Sequence, residues 1–290
     1  MIHPDAAHQV RRREILTDDG VRLVAHLLGD PAAPPALLVP GTFSNHTFWL
    51  GTRGTGFARA IAAAGFHAWV LDPRGHGASQ RPTPRDRWNF DDWARRDVPA
   101  AVRAAAAAGP GVVLVGHSAG GAATLIAAAA HPELRVRAVV VIATPVPWLQ
   151  GFRRTTTRMV RRGSLLLGRF PARLLRLGPE DELAGVMAQW MSWNLDGHWT
   201  GDDGTDYVAR IRELPHPTLF VAGAGDHVEA PPHAVHALYE LAGSFDKTYL
   251  LCGRGTGFSA DFDHSGLVVS RAARAEVWPK IMAWLDATLR

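Results

Sequence analysis

Gly116-His117-Ser118-Ala119-Gly120 leaves this chain few architectures. It stands between the apolar run Val112 to Val115 and the helix-forming stretch Ala119 to Ala130. A strand that gives way to a helix across Gly-x-Ser-x-Gly turns sharply. The turn holds the serine in a strained backbone conformation with its Oγ above the sheet, and only small residues two positions either side let it close. The first amides of the following helix face that oxygen, a setting that favours a developing negative charge. The motif therefore points to strand-to-helix architecture and to a serine nucleophile.

The rest of the chain has the same rhythm. Leu37 to Val39, Ala68 to Leu71, Val136 to Ile142, Thr218 to Ala222 and Thr248 to Leu251 read as strands. Helical stretches lie between them at Gly56 to Gly65, Trp93 to Ala108, Ala119 to Ala130 and Ala234 to Leu241. A last helix, Ala272 to Leu289, is expected to break at Pro279. The strands are continuous apolar runs, which suits a parallel sheet covered on both faces. Strand-helix alternation predicts a doubly wound α/β sheet. Arg11 to Leu16 and Val21 to Leu28, split by Asp18-Asp19-Gly20, carry a hairpin signal. Roughly 70 residues without a clear strand follow Thr144, too many for a structureless loop in a compact domain. The reading is a core of residues 1–145 and 214–290 with an inserted helical lid, 146–213. The repeated string Arg-Gly-Thr-Gly-Phe at 53–57 and 254–258 has unrelated flanks and is read as coincidence.

A serine nucleophile needs a base, and the base needs an orienting acid. On such a sheet the chain order is serine, acid, histidine. Asp226 ends the turn Ala-Gly-Ala-Gly-Asp after a strand, where a carboxylate would lie beside the nucleophile; Glu229 is the nearest substitute. His264, in Asp-Phe-Asp-His-Ser-Gly after the last strand, is the best-placed base. His227 and His233 flank the acid, His216 precedes a strand and His76 lies in an early loop. Asp261 and Asp263 read as solvated loop charges. The oxyanion site needs a second amide besides that of Ala119. Thr42 is the choice, in the loop Pro40-Gly41-Thr42-Phe43, with Phe43 as alternative.

With these residues in place, the chain resembles an α/β-hydrolase of the lipase and esterase type. The resemblance rests on Pro-Gly-Thr-Phe-Ser-Asn at 40–45, Leu-Asp-Pro-Arg-Gly-His-Gly-Ala-Ser at 71–79, Gly-His-Ser-Ala-Gly-Gly at 116–121, Asp226 and the His264 loop. It runs from about residue 36 to 290, with the lid the divergent part. It implies an eight-stranded, mostly parallel sheet, a Ser118–Asp226–His264 triad and a cap after the sixth strand. Many members have His-Gly before the oxyanion donor, where this chain has Pro40-Gly41. His76, in the 71–79 stretch, is given no catalytic role.

Composition narrows the partners. Net charge is +4, and of 31 basic residues only Lys247 and Lys280 are lysine. Eight arginines fall between Arg153 and Arg176, and no acid occurs between Glu133 and Glu180. Outside that segment the chain is net acidic, which argues against broad nucleic-acid binding. Arg154, Arg158, Arg161 and Arg162 share a helical face, and Arg169, Arg173 and Arg176 repeat the pattern beside Phe170, Leu174 and Leu177. With Gly163, Gly168 and Pro171 as breaks, two short basic amphipathic helices fit. They either face water or make weak contact with an anionic interface or acidic substrate. Phe43, His117, Met187, Trp190 and Met191 are candidate substrate-binding residues, with Trp148 and Trp199 weaker ones.

The single cysteine, Cys252, excludes a disulfide framework and a Cys-x-x-Cys site and reads as a small buried hydrophobe. There is no His-Glu-x-x-His. Neither Gly54-Thr55-Gly56 nor Gly223-Ala224-Gly225 completes a dinucleotide fingerprint. No metal or cofactor is expected. Met1 to Glu14 lacks the apolar core of a secretory signal, and no apolar run reaches the ~18 residues of a membrane helix. A soluble, cytoplasmic protein is expected.

The expected function is hydrolysis, through an acyl-enzyme, of a small-molecule carboxylic ester with a hydrophobic acyl or alcohol part. Thioester hydrolysis, lactone opening, acyl transfer and C–C hydrolysis use similar sites and stay open, as does a non-catalytic ligand-binding protein of this fold. A membrane-surface protein working through the arginine-rich lid is a third class.

Overall fold

The computed structural model describes residues 9–51, 54–107 and 109–290. The chain opens with β1 (Arg11–Leu16) and β2 (Arg22–Leu28), then β3 (Pro35–Val39), α1 (Thr47–Leu50), α2 (Phe57–Ala63) and β4 (His67–Asp72). Next come α3 (Phe90–Asp92), a π-helical turn at Trp93–Asp97, α4 (Val98–Ala106), β5 (Val112–His117), α5 (Ala119–Ala130) and β6 (Val136–Ile142). An inserted segment follows, with α6 (Arg154–Leu167), the short pair β7 (Arg169–Phe170) and β8 (Glu182–Leu183), α7 (Ala184–Asp196) and α8 (Tyr207–Arg212). The chain ends with β9 (Thr218–Gly223), α9 (Pro232–Leu241), β10 (Lys247–Cys252), α10 (Gly266–Val269) and α11 (Arg271–Leu289).

Eight strands form one sheet in the order β1-β2-β4-β3-β5-β6-β9-β10. β2 runs antiparallel to both β1 and β4, and every pairing from β4 to β10 is parallel. β3, β4 and β5 are buried at every residue, which is why their sequences are unbroken apolar runs. The doubly wound sheet is as expected. So is the first hairpin, which turns through Gly20 at φ 79°.

Three local expectations change. The helix expected at Trp93 starts earlier, at Phe90, where Asn89 and Asp92 form a reciprocal capping box. It then passes through a π turn before α4, and Ala108, its expected end, lies outside the described residues, as do residues 1–8 and Arg53 of the repeated string. The last helix does not break at Pro279. It is continuous, anchored by buried Val277, Trp278, Ile281 and Leu285, so packing outweighs one lost hydrogen bond. The basic segment does not form two helices. α6 runs straight through Gly163 for 14 residues and stops at Gly168 in the left-handed region. Arg169 and Phe170 then pair with Leu183 and Glu182 as strands, which takes Arg169–Arg176 out of any helix.

One buried charge ties the loop after β4 to the hairpin. Arg74 is fully buried. Its Nε donates to Asp97 at 2.8 Å and its Nη1 to Asp19 at 2.8 Å. Burial pushes the Asp97 carboxyl up to about 6 against the pull of Arg74.

Candidate active site

Ser118 lies between β5 and α5 at φ 54° and ψ −125°, a conformation a non-glycine residue holds only under constraint. The constraint is visible. Ser118 N–H donates to Ile142 O at 2.9 Å, and its carbonyl accepts from Gly121 N and Ala122 N. A Cβ on Gly116 would sit 2.4 Å from Gly121 Cα, and one on Gly120 would sit 2.3 Å from Pro40 O. Both glycines are therefore steric requirements of the turn.

His264 follows β10 in the loop before α10. Its Nδ1 lies 2.6 Å from Asp226 Oδ2, so the acid fixes one ring nitrogen and turns the other away from itself. Asp226 is 1% exposed. Its carboxylate also accepts from the amides of Glu229 at 3.1 Å and Ala230 at 3.0 Å. Burial alone would raise the Asp226 carboxyl, but the His264 hydrogen bond and charge, with these turn amides, hold it below its ordinary value. Ser118 and His264 line one cavity of about 490 Å³. Among the described residues no hydrogen bond joins them. Glu229 lines the cavity too, but His264 bonds to Asp226.

The cavity gathers most of the residues expected of it. Thr42, Phe43, His117 and Ala119 line it, and so do Met187, Trp190 and Met191 from α7. Trp148 and Trp199 do not. Trp199 is 1% exposed within the apolar core, and Trp148 packs against that core. Asp261 and Asp263 accept loop amides, from Arg254 and Gly266 respectively. Cys252 is buried, which pushes its thiol up to about 12.

His117 is more than a wall. Its Nε2 lies 3.0 Å from the His264 carbonyl, and the two rings are 4.7 Å apart. Burial, with repulsion from His264, pushes the His117 imidazole down to about 3. The ring is neutral, and its Nε2–H donates to the backbone that carries His264.

The loop Gly41–His46 approaches from the other side. A Cβ on Gly41 would come 2.9 Å from Ser118 Cβ, so glycine lets this loop lie against the serine. Phe43, at φ 63°, donates its N–H to Glu182 Oε2 at 3.1 Å and accepts from Glu180 N at 3.0 Å. Its amide is thus engaged, which favours Thr42 over Phe43 as an oxyanion donor. Asn45 Nδ2 donates to Glu180 Oε1 at 2.7 Å. Beneath the loop, Asp72 accepts from His46 N at 2.7 Å and lies 2.9 Å from both His26 Nε2 and His46 Nδ1. These three are the one group among the described residues with the reach of a metal site. Asp72 also accepts from Ala78 N. Burial works against the Asp72 carboxylate, but its histidine and amide donors hold it well below its ordinary value. The donor set is complete as a loop anchor. Glu182 also lies 3.4 Å from the buried His76 Nε2. Burial lowers the His76 imidazole, and Glu182 and Glu180 more than reverse this, so it is raised.

Glu180 and Glu182 were not singled out from sequence. The signal was there: they are among the first acids after the acid-free stretch. What they would hold could not be read from spacing.

Residues 36–276 match the model of the alpha/beta hydrolase family. The chain belongs to that family. No curated protein matches it. Among solved structures, this hydrolase-family chain is similar to a thermophilic esterase from Thermogutta terrifontis, with TM-score 0.68, 18% identity, and 96% of this chain and 99% of that one covered. It is similar to an esterase from Exiguobacterium antarcticum, with TM-score 0.68, 15% identity and 94% and 98% covered. It is also similar to a Rhodococcus esterase, with TM-score 0.61, 20% identity and 96% and 99% covered. At these identities the likeness is one of fold. Among the described residues no helix is long and apolar enough to cross a membrane.

Proposed function

We propose that the protein is a serine hydrolase that cleaves carboxylic esters with a hydrophobic acyl or alcohol part. The observation that carries this reading is the 2.6 Å His264–Asp226 contact beside a strained Ser118 in one largely apolar cavity. Ser118 Oγ attacks the ester carbonyl as His264 Nε2 takes its proton. Asp226 holds the ring and stabilises its cation. The Thr42 and Ala119 amides stabilise the oxyanion, where losing one donor typically costs ~10²–10³ in turnover. Collapse expels the alcohol, which takes the proton from His264. Water then attacks the acyl-enzyme by the same route in reverse and releases the acid. No step needs a metal or cofactor.

Residues 146–213 act as a cap in this reading. Phe152, Val160 and Phe170 supply apolar wall opposite the serine, with Trp190 and Met191 beside them. Trp190 Nε1 and Asn194 Nδ2 both donate to Gln150 Oε1, at 2.8 and 2.7 Å, so the polar groups of that wall are satisfied internally.

The test is hydrolysis of p-nitrophenyl esters from acetate to palmitate, with Ser118→Ala alongside. Turnover should fall by about 10⁴-fold or more in the variant, and the preferred chain length reports the depth of the cavity. If no ester is cleaved but a fluorophosphonate labels Ser118, the site is competent and thioesters and lactones come next. If neither occurs, a ligand-binding protein replaces the enzyme.

A further inference from the structure

The inserted segment has two faces, and only one belongs to the cavity. α6 turns Thr157, Val160 and Ser164 inward, and Thr157 and Val160 line the cavity. Its opposite arc carries Arg158, Met159, Arg162 and Leu166. Met159 is 74% and Leu166 87% exposed. The turn after β7 continues this surface with Leu174, 81% exposed, and Leu177, 56% exposed. Among the described residues eleven large hydrophobic side chains are exposed, and seven of them fall between Met159 and Leu177. That density is unusual for a surface facing only water. Leu177 also lines the cavity, so the exposed apolar surface reaches the site.

Arginines are interleaved with these leucines. Arg154, Arg158, Arg162, Arg173 and Arg176 are exposed, and among the described residues none of them forms a salt bridge. Arg161 is turned in to Ser192, and Arg169 reaches Asp181 at 3.5 Å.

We propose that the surface of residues 153–177 docks on a phospholipid bilayer containing anionic lipid, and so places the cavity mouth against the lipid. The leucines and Met159 enter the acyl boundary while the arginines reach the phosphates at its edge. The chemistry selects this occupant. A second copy would bring two acid-free arginine surfaces together, which repel. A nucleic acid would meet leucines rather than the aromatic platforms that stack bases, since none of the exposed large hydrophobics between 159 and 177 is aromatic. A bilayer accepts apolar and cationic side chains over one continuous surface. The substrate would then be an ester carried in the lipid layer. That consequence rests on the hydrolase reading; the docking does not.

Vesicle co-sedimentation of the whole protein tests it, with vesicles of phosphatidylcholine alone and with phosphatidylglycerol added. Hydrolysis of a short soluble ester is measured in parallel. Binding to the anionic vesicles and a clear loss of it at high salt are expected. Arg158→Gln/Arg162→Gln/Arg173→Gln should weaken that binding by about 10²-fold. Leu166→Ser/Leu174→Ser should weaken it by at least about tenfold. Both variants should keep soluble-ester turnover within about twofold of wild type, because none of these side chains lines the cavity. Equal binding to both vesicle types, or variants that bind like wild type, would overturn the proposal. So would concentration-dependent dimerisation that the leucine variant abolishes without any lipid binding. Soluble-ester turnover without vesicle binding removes the docking alone; vesicle binding without any ester turnover removes the hydrolase reading alone.

Discussion

Ser118 follows a strand buried at every residue and sits in a turn whose shape is enforced by backbone contacts with the start of α5 and with the neighbouring chain at Pro40 and Ile142. The inserted segment opposite it is tied to the core near the serine by buried carboxylates. Glu180 and Glu182 reach more than 130 positions back to hold Phe43 and Asn45, and α6 leaves one arc open to solvent. One side of the cavity is fixed by close backbone packing between adjacent strands and the turns that follow them. The other is fixed by a few long-range polar contacts, which can be removed singly. The difference implies that core substitutions cost stability, whereas those at the tie points cost turnover.

The sharpest way to break this contrast is in the core. Arg74→Met should destabilise the protein by about 3–5 kcal/mol, because it strands the buried Asp97 carboxylate without its partner. Arg162→Gln, on the open arc of α6, should shift stability by no more than about 0.5 kcal/mol. Chemical denaturation of both variants checks the pair. Arg74→Met/Asp97→Leu should recover part of the loss, since no fully buried carboxylate is left without its guanidinium, while the Arg74 amide and Asp19 each still lose a partner. Equal effects for Arg74→Met and Arg162→Gln would erase the distinction.

The same contrast explains what was legible in the sequence. The sheet, the strained turn at Ser118 and the places of Asp226 and His264 after their strands could be read because each follows from local sterics or from strand order. Even Gly41 carried its reason, close backbone approach. The basic segment misled. Its spacing fits two helices, but a run of leucine and arginine fixes no helix end unless something stops it, and Gly163 did not. The pairing of Phe170 with Glu182 decides the second half, and nothing local encodes it. Nor does periodicity show that Glu180 and Glu182 would grip the loop beside the serine, since that depends on how the insertion folds back.

Removing one tie sharpens the comparison from the other side. Glu182→Ala frees the Phe43 amide and leaves His76 without its nearest carboxylate. The loop that supplies Thr42 then loses one of its anchors. Turnover of a short soluble ester should fall by about 10–10²-fold, mainly in kcat, because a misplaced oxyanion donor weakens transition-state more than ground-state contacts. Steady-state kinetics separates this from a change in KM. An unchanged kcat would mean that Glu180 and Asp72 suffice to hold the loop.

The last contrast lies with two buried histidines, one neutral and one protonated. His117, in the packed turn, is depressed to about 3, first by burial. His76, beneath the insertion, is raised, because Glu182 and Glu180 outweigh its burial. A depressed histidine is neutral when folded and protonated when unfolded. Its contribution to stability is complete above the ordinary imidazole value and is lost as pH falls towards about 3, at up to ~1.4 kcal/mol per pH unit. His117→Asn should therefore remove one proton's worth of acid-side loss between about pH 6 and pH 4, while Asp97, pushed up to about 6, contributes the opposite slope in wild type and variant alike. Asp226, held below its ordinary value, adds to the acid-side loss below the carboxylate range in wild type and variant alike. His76 works in the other direction. Its contribution is complete below the ordinary imidazole value and is lost as pH rises through its raised folded value, so His76→Gln should flatten the alkaline limb instead. Denaturant titrations across pH read both slopes. If the two variants change the same limb, the two histidines do not differ in protonation, and the packed and the tied sides of the cavity are not electrostatically distinct.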